Sequence, residues 1–197
     1  MIERQLKGRG ITDSRVLAAF RKIPREAFLA PELKSKAYED HPLPIGYDQT
    51  ISQPYIVAVM SESLELVRTD RILEVGTGSG YQTAVLAELG QEVCSVEIIE
   101  DLYQVAKMRL NTLGYRNIRL KHDDGRKGWV EHAPFDKIIV TAAAEKIPDV
   151  LVEQLKDMGR IILPIGQDDQ DLVLGQKEKG MLVTRPLLRV RFVPLQN

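Results

Sequence analysis

The spacing of apolar residues changes character near residue 70. Before it, helical spacing is brief and repeatedly broken. Asp13 can cap a helix in which Val16, Leu17 and Phe20 share one face. Pro24, Pro31, Pro42, Pro44 and Pro54, with Gly46, then cut the chain into short pieces. Pro54 is placed to open a second helix, because a first turn does not use the N–H that proline lacks. Ile56, Val59, Met60 and Ser63 follow at helical spacing, with Val67 near the end.

From Arg71 the rhythm becomes strand, turn, helix, strand. Short apolar runs predict strands over 71–75, 92–97, 118–122, 136–141 and 160–165, the last after a turn at Gly159. Helical segments lie between them: one through Leu89, one over 101–113 closed by Gly114, and one started by Pro148. The run over 136–141 is almost continuously apolar, as a strand covered on both faces should be. The tail reads as a hairpin of 172–174 against 181–183 around a turn at Glu178–Gly180, then an alternating strand over 189–193. The expected fold is α/β: a mainly parallel central sheet with helices on both faces, an N-terminal helical segment and an antiparallel C-terminal edge. One domain is expected over 1–197, with 1–70 as a helical and loop segment and 71–197 as the sheet.

Bulk properties narrow the choices. Hydrophobic residues make up 44% and charged residues 28% of 197 positions, a globular composition. The net charge of -1, from 27 basic and 28 acidic residues, gives no global attraction to nucleic acid or anionic lipid. No apolar run is long enough to span a bilayer and no leader is visible at Met1, so a cytoplasmic protein is expected, and a monomer because one domain of this size can bury its own core. Cys94, the only cysteine, sits in an apolar run and reads as a buried small hydrophobe. His41, His122 and His132 show no ligand spacing, and no metal is expected.

The strongest local signal is Gly76-Thr77-Gly78-Ser79-Gly80 at the end of the first sheet strand. Such a turn lets backbone approach a ligand closely, although the same residues also serve as a plain structural turn. Glu97 ends the second strand 17 residues beyond Gly80, where a carboxylate can accept both ribose hydroxyls of an adenosine. Nicotinamide-binding turns space their last glycine one residue later and leave room for a pyrophosphate. Glu74, just before the turn, would repel a pyrophosphate and suits a ligand with an amino group and a sulfonium, such as S-adenosylmethionine. Asp124-Gly125 after the third strand offers a carboxylate for an adenine amino group, with a simple Asp-Gly turn as the alternative.

Between methyltransferase classes, the fourth strand discriminates. Val140-Thr141-Ala142-Ala143-Ala144 has nothing that could hold or stack a flipped base, and no carboxylate cluster follows it for a metal-assisted reaction. With this pattern in view, the chain resembles the protein-L-isoaspartate O-methyltransferases. The resemblance runs through Leu43-Pro44-Ile45-Gly46, Gln49-Thr50-Ile51-Ser52-Gln53-Pro54, Leu73 to Thr83, Asp124-Gly125, Pro134 to Ala143, Ile162 to Gly166 and Val190 to Leu195. It is collinear over almost the whole chain. Its most specific element is Thr50-Ile51-Ser52-Gln53-Pro54.

The resemblance implies a Rossmann-like class I methyltransferase that moves the methyl of S-adenosylmethionine to the carboxylate of L-isoaspartyl residues in damaged proteins and peptides. The resulting ester closes to a succinimide without further catalysis. It implies Ser52 as the catalytic residue; the competing role is a helix cap by Ser52 or Gln53. The expected cofactor residues are Thr50, Ile51, Glu74, Gly76, Thr77, Gly78, Ser79, Gly80, Glu97, Asp124 and Gly125. The expected substrate residues are Gln53 and Pro54 on one wall and Thr141, Ala142 and Ala143 on the other, with the 43–49 loop as a lid. Departures occur at Ala144-Glu145, where many relatives carry prolines, and in the short tail after Leu195, which would leave a cofactor contact missing or differently supplied. A methyltransferase of a small carboxylate metabolite or of RNA on the same fold, or a non-catalytic cofactor-binding module, remains the alternative.

Overall fold

A computed structural model describes residues 1–196. Nine strands and five α-helices occur among them, with several single turns of tighter or wider helix. The helix α1 spans Ser14–Lys22, and Asp13 accepts hydrogen bonds from the N–H groups of Arg15 and Val16 as its cap. Leu43–Gly46 (β1) and Gln49–Ile51 (β2) form a separate antiparallel hairpin, so the expected loop here is a folded unit. Tyr47 and Asp48, both at positive φ, make its turn.

The helix α2 spans Pro54–Ser63, as Pro54 predicts, but its buried face is broader than the spacing implied. Val57 through Ser61 are all buried, whereas Ile56 is only half-buried and Val67 is exposed beyond the helix end. The physical reason is that α2 is covered both by neighbouring helices and by the chain before it, so a one-face pattern does not apply.

The main sheet contains β3 (Arg71–Val75), β4 (Glu92–Glu97), β5 (Ile118–His122), β6 (Phe135–Val140), β7 (Leu155–Ile165), β8 (Gln170–Glu178) and β9 (Met181–Val190). Their spatial order is β5-β4-β3-β6-β7-β8-β9. The first five pair in parallel, and β8 and β9 add an antiparallel edge. Tyr81–Leu89 (α3) and Glu100–Thr112 (α4) are the crossovers on one side, and Asp149–Glu153 (α5) precedes β7.

Two expectations at the C-terminal end need correction. The turn predicted at Gly159 lies inside β7: Leu155 pairs with Phe135 and Arg160 with Lys137, so the intervening residues bulge, with Met158 at φ 62. The expected separate strand over 189–193 is instead the end of β9, which runs unbroken through Pro186 with an irregularity against Leu172 and Val173. A proline is tolerated there because β9 is the sheet's edge.

Apolar side chains on the two faces of the sheet form two cores. The larger one joins Leu6, Phe20, Phe28 and Leu64 of the N-terminal segment to Ile72, Val93 and Ile139 of the sheet. The smaller one holds Leu73, Val75, Cys94, Ile138 and Leu151 on the opposite face. Alternation along β3 therefore decides that Ile72 and Glu74 face α3, while Leu73 and Val75 face the other way.

Candidate active site

The chain leaves β3 for β4 and β5 on one side, then returns to β6 on the other side of β3. Parallel strands that diverge in this way leave a crevice at their carboxyl ends, where α/β proteins bind ligands. A cavity with about 800 Å³ of empty space lies there. Val75, Gly76, Thr77, Gly78 and Ser79 form its floor, Glu97 and Ile98 one side, and Thr141 and Ala142 the other. Gln49, Thr50, Ile51 and Ser52 line it from above, and Gly125, Leu195 and Gln196 complete it.

The glycine turn has the shape it has because side chains are excluded. Gly76 stands at φ +96, and a Cβ there would run into Oγ1 of Thr141. Thr141 Oγ1 donates to the Gly76 carbonyl at 2.7 Å, while its own N–H donates to the Val75 carbonyl at 2.9 Å. A Cβ at Gly125 would collide with Val75 Cγ1, so glycine there lets two strand ends approach.

Glu97 is 5% exposed and organises this turn. One carboxylate oxygen accepts the Gly78 N–H at 2.7 Å and the other the Ile99 N–H at 3.0 Å. A carboxylate has about four acceptor sites, so capacity for the two hydroxyls of a ribose remains. Ile98, Ile99 and Leu102 beside it present an apolar surface suited to a flat base.

Three expected cofactor residues do not line the cavity. Glu74 is fully buried beneath the turn, where Oε2 accepts from Thr83 Oγ1 at 2.5 Å and Ser95 Oγ at 2.6 Å. Burial pushes its carboxyl up to about 8, against the help of both hydroxyls. At neutral pH it is mostly protonated, so it cannot repel a pyrophosphate as its position in the sequence implied. Strand alternation aimed it at α3, away from the ligand side. Asp124 faces Arg126, whose guanidinium holds its carboxyl below the ordinary range, with Oδ2 to Nη2 at 2.8 Å. Gly80 caps α3 at φ 88 and packs against Leu110.

A second cleft, with about 880 Å³ of empty space, opens beside the first. The two share Thr50, Ser52, Thr141 and Val193 as a common wall. Gln53 lines only the second cleft, and its amide donates to the Asp40 carbonyl at 2.8 Å. Pro54 is buried in the first turn of α2 and lines neither. Ala143 borders a different depression, and its backbone bridges to the tail: its N–H donates to Val193 O and its carbonyl accepts from Leu195 N–H, both at 2.8 Å. The segment after Val193 thus reaches the first cavity, through Pro194, Leu195 and Gln196.

Ser52 sits half-buried in the shared wall, and its hydroxyl makes no hydrogen bond among the described residues. Neither Ser52 nor Gln53 caps α2 through its side chain, so the competing structural role is not realised. What holds Ser52 is Arg25, which sequence reasoning missed. This arginine is 0% exposed; it donates through Nη2 to the Ser52 carbonyl and through Nε to the Ala37 carbonyl, each at 2.8 Å. Its guanidinium lies 4.8 Å from the centre of the Tyr81 ring, and burial lowers its pKa to about 10. Nothing in Pro24-Arg25-Glu26 distinguishes a buried arginine from a surface one. The lining residues Arg189, Arg191 and Phe192 were also missed as site residues, although they lie in or beside the Val190 to Leu195 match.

The hairpin closes over the glycine turn. Ile45 lies next to Gly78, and Tyr47 donates from its hydroxyl to Asp101 of α4 at 2.5 Å. Elsewhere, Glu92, Cys94 and His132 come within 4.8 Å of one another, a cluster the sequence spacing did not reveal. Glu92 is already engaged by Arg119 and Arg71, which hold its carboxyl below the ordinary range, and burial pushes the Cys94 thiol up to about 12, so that sulfur keeps its proton and is a poor metal ligand.

A family model described as protein-L-isoaspartate(D-aspartate) O-methyltransferase matches residues 1–197. The chain is 50% identical over 197 residues to the protein-L-isoaspartate O-methyltransferase of Gloeobacter violaceus, covering 99% of this chain and 96% of the relative. It is 53% identical over 186 residues to the protein of the same name from Vibrio vulnificus, covering 94% and 89%. Among solved structures, a protein-L-isoaspartate O-methyltransferase superposes with a TM-score of 0.89 at 34% identity, over 100% of this chain and 66% of that longer one. A Plasmodium falciparum structure described as a putative protein-L-isoaspartate O-methyltransferase in complex with S-adenosyl-L-homocysteine gives 0.86 at 27%, over 99% and 96%.

Proposed function

We infer the division of labour between the two cavities from the fact that this chain belongs to the protein-L-isoaspartate(D-aspartate) O-methyltransferase family. Its reaction is transfer of the S-adenosylmethionine methyl to the α-carboxylate of an L-isoaspartyl residue. The observation that carries the assignment of cavities is their common wall of Thr50, Ser52, Thr141 and Val193. A nucleoside pocket and a peptide cleft must meet somewhere, and the methyl must pass at that place.

The cofactor supplies an electrophilic methyl on a sulfonium. The residues of the first cavity fit it: the glycine turn permits close backbone approach, Glu97 has acceptor capacity for ribose, and Ile98 and Leu102 give apolar surface for adenine. A substrate carboxylate, with a reference pKa near ~3.5, is already ionised at neutral pH and needs no general base. What the protein contributes is alignment and exclusion of water. Ser52 orients the carboxylate through its uncommitted hydroxyl, and Arg25 fixes the peptide unit that carries Ser52. Thr50 and Thr141 flank it, and the small Ala142 leaves room for an extended backbone. Thr141 spends its proton on the Gly76 carbonyl, so it contributes shape and a lone pair.

Glu74, Gly80 and Asp124 act behind this surface by shaping the turn and loop. No described helix is long and apolar enough to cross a membrane. The reading extends to a monomer working in the cytoplasm on damaged proteins and peptides, with gel filtration as the check on the first point. The decisive assay offers tritiated S-adenosylmethionine with an isoaspartyl peptide and with its ordinary aspartyl twin. Label should appear in the first only; equal labelling of both overturns the repair assignment.

A further inference from the structure

The peptide cleft carries a charge asymmetry that the transfer step does not use. No Asp or Glu lines it among the described residues, whereas Arg189 and Arg191 both do. The two arginines differ in circumstance. Arg189 is engaged by Asp169 at 3.7 Å and Asp171 at 3.2 Å. Arg191 is exposed and has no ion pair or side-chain hydrogen bond among the described residues.

Its backbone, by contrast, is firmly held. Gln170, only 5% exposed, accepts the Phe192 N–H at 2.6 Å and donates to the Phe192 carbonyl at 3.1 Å. Val190 before it is paired with Gln170 in the sheet. A free guanidinium on a pinned backbone, at the edge of a cleft with no acid of its own, is arranged to receive an anion.

We propose that Arg191 makes the enzyme selective among damaged sites, favouring isoaspartyl residues with a carboxylate side chain close by in the peptide. The proposal rests on the reading of this cleft as the peptide site. Ser52 and Arg191 line the same cleft, so Arg191 meets a residue close in sequence to the isoaspartyl linkage bound at Ser52. Arg189, already neutralised by two aspartates, contributes much less.

The test uses three isoaspartyl peptides that differ only in the residues flanking the linkage, which are Glu, Gln or Lys. Methyl transfer from tritiated S-adenosylmethionine gives kcat/KM for each at low salt, with the intact enzyme, Arg191→Gln, Arg191→Glu and Arg189→Gln. An exposed charge pair changes a rate constant of this kind by about threefold, so attraction of Glu and repulsion of Lys together give a Glu-to-Lys ratio of about ten. That ratio should fall to near one in Arg191→Gln, invert in Arg191→Glu, persist in Arg189→Gln and collapse in about 1 M salt. Equal ratios in the intact enzyme and Arg191→Glu would overturn the role of Arg191 alone. Failure of the intact enzyme to label any of the three would instead overturn the repair reading, and this proposal with it.

Discussion

Replacing Glu74 by Gln removes the one carboxyl that lies fully buried beneath the glycine turn. The wild-type carboxyl ionises near 4.5 when solvated and is lifted to about 8 by burial. Below the lower value both folded and unfolded chains carry the proton, and the group contributes no pH dependence. Between the two values the folded protein retains a proton that the unfolded chain has released. Stability therefore falls as pH rises through that window, by at most ~1.4 kcal/mol per pH unit. From about pH 5.5 to about pH 7.5 the loss is ~2–3 kcal/mol, a large share of the 5–15 kcal/mol typical of a domain. With a urea dependence of about 2–3 kcal/mol per molar, the midpoint should move down by about 1 M over that range. Glu74→Gln keeps an oxygen to accept from Thr83 and Ser95 but cannot ionise. Its amide hydrogens impose a constant penalty of ~1–3 kcal/mol, so the informative quantity is slope rather than level. Urea unfolding at both pH values, in parallel for the two proteins, isolates the Glu74 contribution as a difference of slopes. Identical slopes would mean that the carboxyl titrates normally and that its burial has been misread.

Ser52→Ala should lower kcat/KM for an isoaspartyl peptide by about 10–100-fold, the worth of one hydrogen bond to a charged group, while leaving cofactor affinity intact; near-normal turnover removes Ser52 from the mechanism. Glu97→Ala should raise the Kd for adenosylhomocysteine about tenfold or more by calorimetry, because it loses ribose acceptors and also frees the Gly78 N–H; unchanged affinity refutes that role. Gly76→Ala meets both a positive φ and the Thr141 hydroxyl, so thermal unfolding should show a loss of about 1–3 kcal/mol, and wild-type stability would contradict the described turn.

The parallel sheet was legible because its strands are short apolar runs separated by glycine and proline signals, and 71–75, 92–97 and 118–122 are observed with those bounds. Helix α1 was legible from Asp13 and a one-sided apolar stripe. Helix α2 was harder to read, since burial on several sides erases the periodicity that marks a face. The β7 bulge and the continuous β9 were hidden because glycine and proline usually punctuate strands, and only pairing partners show where they do not. The placement of Gly76, Gly78 and Glu97 along the cavity could be read from position relative to a strand end. Glu74 could not, because a strand end has two faces and sequence order alone does not say which one the ligand occupies. Arg25 escaped for a similar reason: its contact with Ser52 joins residues 27 positions apart, which only the fold brings together.

The path of the tail has a practical corollary for handling the protein. Gln196 lines the first cavity and Leu195 is tied to Ala143, so a bulky label carried by the side chain at position 196 would stand at that cavity. A dye attached through Gln196→Cys should depress cofactor binding, whereas one attached on the β8–β9 turn at Lys179-Gly180, at the opposite end of those strands, should leave it untouched.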